Sequence, residues 1–188
     1  MTDKTSRNAQ KGSDGESRLK PYLEIGQIVG THGVRGELRV SPWCDSPDFF
    51  KRFTTLYYDE KGTQAVQVLS SRPHGHIVLL CLEGVSGVET AAALRGKVLY
   101  MHRRDAKMPP GQFFVVDLIG CKVIDAHDES LTYGVLTDVS PTGANDVWHI
   151  KGANGKEYLL PVIEQVVIHT DVEAGIIKIR PLAGIFED

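Results

Sequence analysis

The 188-residue chain has little of what an enzyme, a secreted domain or a membrane protein is built from. Its three cysteines, Cys44, Cys81 and Cys121, are widely spaced and odd in number, so they outline no disulfide framework. They are read as reduced thiols packed as small hydrophobes, which places the chain in the cytoplasm. No Cys-x-x-Cys occurs, and the seven histidines, His32, His74, His76, His102, His127, His149 and His169, form no His-x-x-x-His pair. No metal site is therefore assigned, and His74 and His76 are read as solvated histidines flanking a turn. Gly155-Lys156 is followed by Glu157 and so ends no phosphate loop, and a Gly-x-Ser-x-Gly nucleophile elbow is missing. No apolar run reaches the roughly 18 residues of a membrane helix. Together these absences leave no catalytic residue, no cofactor and no membrane contact to propose, and a soluble protein is expected.

What is present is an uneven charge. Residues 1–20 hold 5 Lys/Arg and 3 Asp/Glu, residues 21–112 hold 11 and 9, and residues 113–188 hold 5 and 12. The nets of +2, +2 and −7 give the two ends of the chain different electrostatic partners. An acidic C-terminal half repels a phosphate backbone and attracts a basic protein, while the N-terminal half carries no such handicap. Residues 1–20 contain almost no large apolar side chain and lack the apolar stretch of a secretion signal, so a disordered tail is expected there.

The chain is organised around Gly26–Val40, read as a loop held between a strand at Leu23–Val29 and a period-2 strand that starts at Glu37. Gly30, Gly33 and Gly36 allow sharp bends, and His32 and Arg35 make the loop cationic and rich in donors, which suits phosphates or a ribonucleoprotein surface. The competing reading is a tight connection between two strands and nothing more, and the spacing matches neither G-x-G-x-x-G nor a Gly-Lys-Ser/Thr loop. A short helix is expected at Pro47–Phe53, capped by Asp45 or Ser46, with strands at Thr54–Tyr58, Val66–Ser70 and Ile77–Leu82. Arg72–His76 reads as a turn. Ser86–Glu89 has capping-box spacing before a helix that runs to Leu94, and Lys97–Met101 is the next strand. Six short strands with tight turns indicate a small antiparallel barrel over residues 21–102.

The basic, proline-containing residues 103–112 read as a linker. Beyond them, strands are expected at Cys121–Ile124, Leu131–Val139 with Gly134 as a bulge, Val147–Lys151, Tyr158–Val162, Val166–His169 and Ile176–Arg180. A second all-β barrel or sandwich over residues 113–184 follows. Phe113 and Phe114 are adjacent, so on a strand one faces the core and the other needs a different cover. That cover is either the joint between the halves or a partner protein. Trp148 is read as a core anchor.

Four stretches taken together, Gly-Thr-His-Gly-Val-Arg-Gly-Glu-Leu-Arg-Val, Phe-Phe-Val-Val-Asp-Leu-Ile-Gly, Gly-Ala-Asn-Asp-Val and Leu-Leu-Pro-Val-Ile, resemble the bacterial RimM family of ribosome maturation factors over about Tyr22–Leu182. The resemblance implies a six-stranded barrel like that of translation factors, followed by a PRC barrel. It also implies a role in assembly of the 30S subunit, through binding of its immature head and the nineteenth small-subunit protein while 16S rRNA is processed. The chain would act as a monomer without catalysis. Candidate contacts to the particle or its RNA are Thr31, His32, Gly33, Arg35, Gly36 and Arg39, and candidate protein-partner contacts are Phe113, Phe114, Asp117, Asn145 and Asp146. The family commonly carries Tyr-Tyr where this chain has Phe113-Phe114, so only apolar contact is available to the pair. The competing readings are a flavin-binding or isomerase-type small β-barrel enzyme and a PRC-type interaction adaptor, since fold does not fix function.

Overall fold

A computed structural model describes residues 18–44 and 46–186, and the chain divides into two units, Lys20–Gln112 and Phe113–Asp188 together with Met1–Leu19. The first unit holds β1 (Tyr22–His32), β2 (Glu37–Pro42), β3 (Thr55–Tyr57), β4 (Ala65–His74), β5 (Ile77–Leu82), helix α1 (Gly87–Ala92) and β6 (Val98–His102). The strands close into a barrel in the order β1-β2-β5-β4-β3-β6. β1 makes closure possible because its first part pairs with β6 and its second part with β2. The register slips at Ile25 against β6 and at Val29 against β2, and each extra residue bends the strand so that it can turn the corner. Inside lie Ile25, Ile28, Leu38, Val40, Leu56, Val78, Leu80 and Leu99, all at 1% exposure or less. Burial of each such side chain is worth about 1.5–3 kcal/mol.

Several local expectations need correction. The helix after β2 is a 3-10 turn, Pro47–Arg52, whose N-cap is Ser46, its hydroxyl accepting from the Asp48 amide; Asp45, the other candidate cap, lies outside the described residues. Ser86 makes no side-chain cap to α1, and the Thr90 hydroxyl instead donates back to the Ser86 carbonyl. Arg72, Pro73 and His74 are not a turn but the end of β4, paired with Leu79, Val78 and Ile77. Proline is tolerated there because β3 pairs only with Ala65–Gln67, so the far side of β4 needs no ladder donor at residue 73. Of the presumed linker, Arg103–Ala106 is a 3-10 turn fastened to the first unit: the Arg103 amide donates to the Pro21 carbonyl, and Arg52 donates to that of Ala106.

The second unit contains α2 (Val115–Leu118), β7 (Lys122–Asp125), β8 (Thr132–Pro141), β9 (Asp146–Lys151), β10 (Glu157–Pro161), β11 (Val167–Asp171) and β12 (Ile176–Ile179). They form a six-stranded sheet in the order β10-β9-β8-β7-β12-β11. Four of the five pairings join chain neighbours in antiparallel fashion, whereas β7 and β12 are parallel. The register slips at Tyr133, next to Gly134, where a bulge is expected. Cys121, Val123, Leu136, Trp148, Ile150, Leu160, Val166, Ile177 and Ile179 make the core. Phe186 closes one end by stacking on Tyr133, with centroids 4.3 Å apart, and leaning on Tyr158 at 4.8 Å. Phe113 and Phe114 are not on a strand. Phe114 is the N-cap of α2, and its carbonyl takes the amides of both Asp117 and Leu118.

Residues 1–17 of the expected disordered tail lie outside the described residues. Arg18, inside them, is held by three carbonyls of the second unit. Among the described residues no helix is long and apolar enough to cross a membrane.

Candidate functional site

The central loop is shorter than its sequence suggests. β1 continues to His32 and β2 begins at Glu37, so Gly30 pairs with Arg39, Thr31 with Leu38 and His32 with Glu37, and only Gly33-Val34-Arg35-Gly36 turns. The reason is the bulge at Val29, which lets the ladder resume beyond Gly30 instead of ending there. Gly33 and Gly36 have φ of +63° and +91°, a region in which a Cβ is strained. Gly36 is also buried, and a Cβ there would lie 2.8 Å from the Gly87 nitrogen and 2.9 Å from the Val85 carbonyl oxygen. It therefore seats the hairpin against the entry to α1 and has no face left for a ligand. Thr31 is half-buried, while His32, Gly33 and Arg35 are exposed and Val34 is 79% exposed at the tip.

The charge around the turn is sorted by Glu37. Its carboxylate accepts from Arg72 Nε at 3.2 Å and Nη2 at 3.0 Å, a forked pair, and lies 3.9 Å from His32 Nε2. Strand β5 stands between β2 and β4, so the Arg72 side chain reaches Glu37 across the face of β5 that carries Leu79 and Cys81. The His32 and His74 rings stand 5.9 Å apart on the same side. Arg35 and Arg39 are exposed and, among the described residues, make no ion pair. The hairpin thus presents two uncommitted guanidinium groups beside a neutralised third. Such a surface can take anionic oxygens in a forked geometry, which lysines could not supply.

In the second unit the candidates fall on two elements. Phe113 is half-buried against the core and Phe114 is half-buried at the head of α2. Asn145 and Asp146 are exposed at the turn from β8 to β9, where Asn145 accepts the Thr142 hydroxyl and Asp146 accepts the Val162 amide. Asp117 is 6% exposed, so as a surface contact it is corrected: its backbone carbonyl braces the turn from beneath, accepting from Arg18 and from the Cys121 thiol. Sequence reading missed Val115, Val116 and Ile119, exposed by 48%, 56% and 36% beside the aromatic pair. A strand reading hides them, because alternation would bury every second residue; the helical turn puts all three outside. It also missed Arg72, since no local signal pairs residues on strands separated by a third.

Further along this unit, the Asp128 amide, the Tyr133 hydroxyl and the His127 amide hold the Asp125 carboxyl down at about 2. Burial and the bond to Asp125 push Tyr133 up to about 12. This pair closes the β7–β8 turn. Among the described residues no group of three His, Cys, Asp or Glu side chains is placed to hold a metal.

Comparison with known proteins gives two matches in tandem, the RimM N-terminal domain over residues 23–106 and the RimM PRC barrel domain over residues 115–185. The ribosome maturation factor RimM of Clostridium botulinum is 36% identical over 165 residues, 87% of this chain and 96% of that protein. That of Bacillus mycoides is 36% identical over 172 residues, 89% of this chain and 99% of the relative. A solved Pseudomonas aeruginosa protein described as a 16S ribosomal RNA processing protein RimM is 29% identical, with a TM-score of 0.42, covering 84% of this chain and 96% of its own.

Proposed function

Because the chain belongs to the RimM family, and so acts in ribosome maturation, we propose that its two units grip two different components of an immature small subunit. The first unit contacts 16S rRNA of the head region through the hairpin, with Arg35 and Arg39 on phosphates and His32 and Thr31 at the edge. Gly33 and Gly36 shape the turn. The second unit holds a basic head protein, the nineteenth of the small subunit, against Phe113, Phe114, Asn145 and Asp146, with Asp117 bracing from below. The observation that carries the reading is the separation of charge: two exposed arginines with no acidic partner among the described residues on one unit, and a net of −7 over residues 113–188. A basic protein is drawn to the second and an anionic polymer to the first. The protein works as a monomer in the cytoplasm, by binding, and no covalent step is assigned to it.

Sedimentation of a cell lysate tests this directly. The protein is expected with free small subunits and their precursors and absent from 70S ribosomes. Confinement to the top of the gradient after mild crosslinking would overturn the reading. Phe113→Ala with Phe114→Ala is expected to abolish binding of the isolated head protein while the amide spectrum stays folded, and normal binding by the folded double variant would remove the aromatic pair from the interface.

A further inference from the structure

The Arg18 side chain is fastened by three backbone carbonyls. Its Nη1 donates to the carbonyls of Asp117 at 2.8 Å and Val172 at 2.7 Å, and its Nη2 donates to that of Ile119 at 2.9 Å. These acceptors come from two places, the end of α2 and the turn between β11 and β12, and converge on one planar group. Gly175 makes the room: a Cβ there would stand 3.1 Å from Arg18 Nε and 3.3 Å from its Cδ. The floor is Cys121, fully buried, whose thiol is pushed up by burial and drawn down again by the adjacent Arg18, with Asp117 and Asp171 close enough to add negative potential. A forked guanidinium satisfies three carbonyls in this arrangement; a lysine ammonium, a point charge on a flexible stem, does not match it.

We propose that the carbonyls of Asp117, Ile119 and Val172 form a guanidinium-binding site, filled in cis by Arg18, at which an arginine of a basic protein partner docks by displacing it. The proposal rests on the function proposed above, since the same helical turn carries the site and the exposed Val115, Val116 and Ile119 beside Phe113 and Phe114. A partner lying on that apolar turn has the site within one residue of its contact. The −7 net charge of the unit favours an arginine-bearing partner over an acidic one. Arg18 is exposed, so exchange does not require the core to open. If Arg18 fills the site for nine-tenths of the time, a competing arginine binds about tenfold more weakly than to an empty site.

The test is a titration of the full chain and of Arg18→Ala with N-acetyl-arginine amide, followed by amide NMR. In the variant, the amides of Gly120, Cys121, Val172 and Gly175 are expected to shift saturably, with an apparent affinity about tenfold tighter than in the native chain. N-acetyl-lysine amide is expected to leave them unmoved. Arg18→Lys is expected to respond as the alanine variant does, which keeps the test open should Arg18→Ala misfold. Equal responses in native and variant chains, or none in either variant, overturn the site. Equal affinity of native and Arg18→Ala chains for the isolated head protein overturns the exchange. Failure of both chains to bind that protein counts against the function proposed above and leaves the arginine-amide titration to decide the site.

Discussion

Both units are built from six strands, yet they are held together differently. The first closes on itself because one eleven-residue strand, β1, is bulged twice and serves two neighbours. The second depends on a parallel contact between its first strand and its last, β7 with β12, which no hairpin could supply. Their surfaces differ in the same spirit. The first offers charge from a four-residue turn whose base is locked by Gly36, and the second offers apolar area from one turn of helix closed on the Phe114 carbonyl. A rigid element points outward in each case; only the chemistry at its tip changes.

The comparison breaks most cleanly at the cores. Phe50→Ala in the first unit and Trp148→Ala in the second each remove a buried aromatic, at about 3–5 kcal/mol. Calorimetry is expected to show each variant lowering one of two melting transitions, and a shift of both by either variant would mean that the units melt together. Gly36→Ala is next, because the positive φ and the backbone at residues 85–87 both oppose a Cβ; a loss of about 1–3 kcal/mol is expected in the first transition. Gly33→Ala, whose Cβ meets nothing within 4 Å, is expected to cost about 1–2 kcal/mol from its backbone angle alone. Equal losses at the two glycines would remove the seating role of Gly36.

Arg35→Ala with Arg39→Ala is expected to leave both transitions in place and to flatten the salt dependence of particle binding. The log–log slope should fall by about 0.7–0.9 for each phosphate that an arginine no longer neutralises. An unchanged slope would place these arginines away from phosphate. The smallest effect belongs to Asp125. Its folded carboxyl, at about 2 against an ordinary 3.8, contributes stability that is complete above the higher value and is withdrawn as the pH falls towards the lower one. The second transition of Asp125→Asn should therefore lie below that of the native chain at neutral pH and approach it between about pH 4 and pH 2. A gap that stays constant would mean that the turn bonds do not hold the carboxylate.

The twelve strands of the described residues are readable from apolar patterning and the turn residues around them. Ile77–Leu82, apolar throughout, reads as a strand buried on both faces, and Val78, Leu79, Leu80 and Leu82 are buried. Pairings between distant segments are not readable. Nothing local in Lys122–Asp125 announces Ile176–Ile179 as its neighbour, and nothing near Glu37 announces Arg72. The turn of α2 is hidden because Phe-Phe-Val-Val has the composition of a strand, whereas the Phe114 carbonyl draws in the amides of Asp117 and Leu118. Arg18 escapes for the opposite reason: a polar, low-complexity tail gives no sign that one of its side chains has three acceptors waiting.

The parallel contact of β7 with β12 also sets a timetable. As the chain is synthesised, the first barrel has every strand it needs once His102 has emerged, and it can fold while the rest is still being made. β7 emerges soon afterwards but has one antiparallel neighbour to receive it, and its other edge stays open until Ile176–Ile179 arrives some fifty residues later. For that interval the second unit carries an unpaired strand edge, while the unit with the arginine turn is already complete.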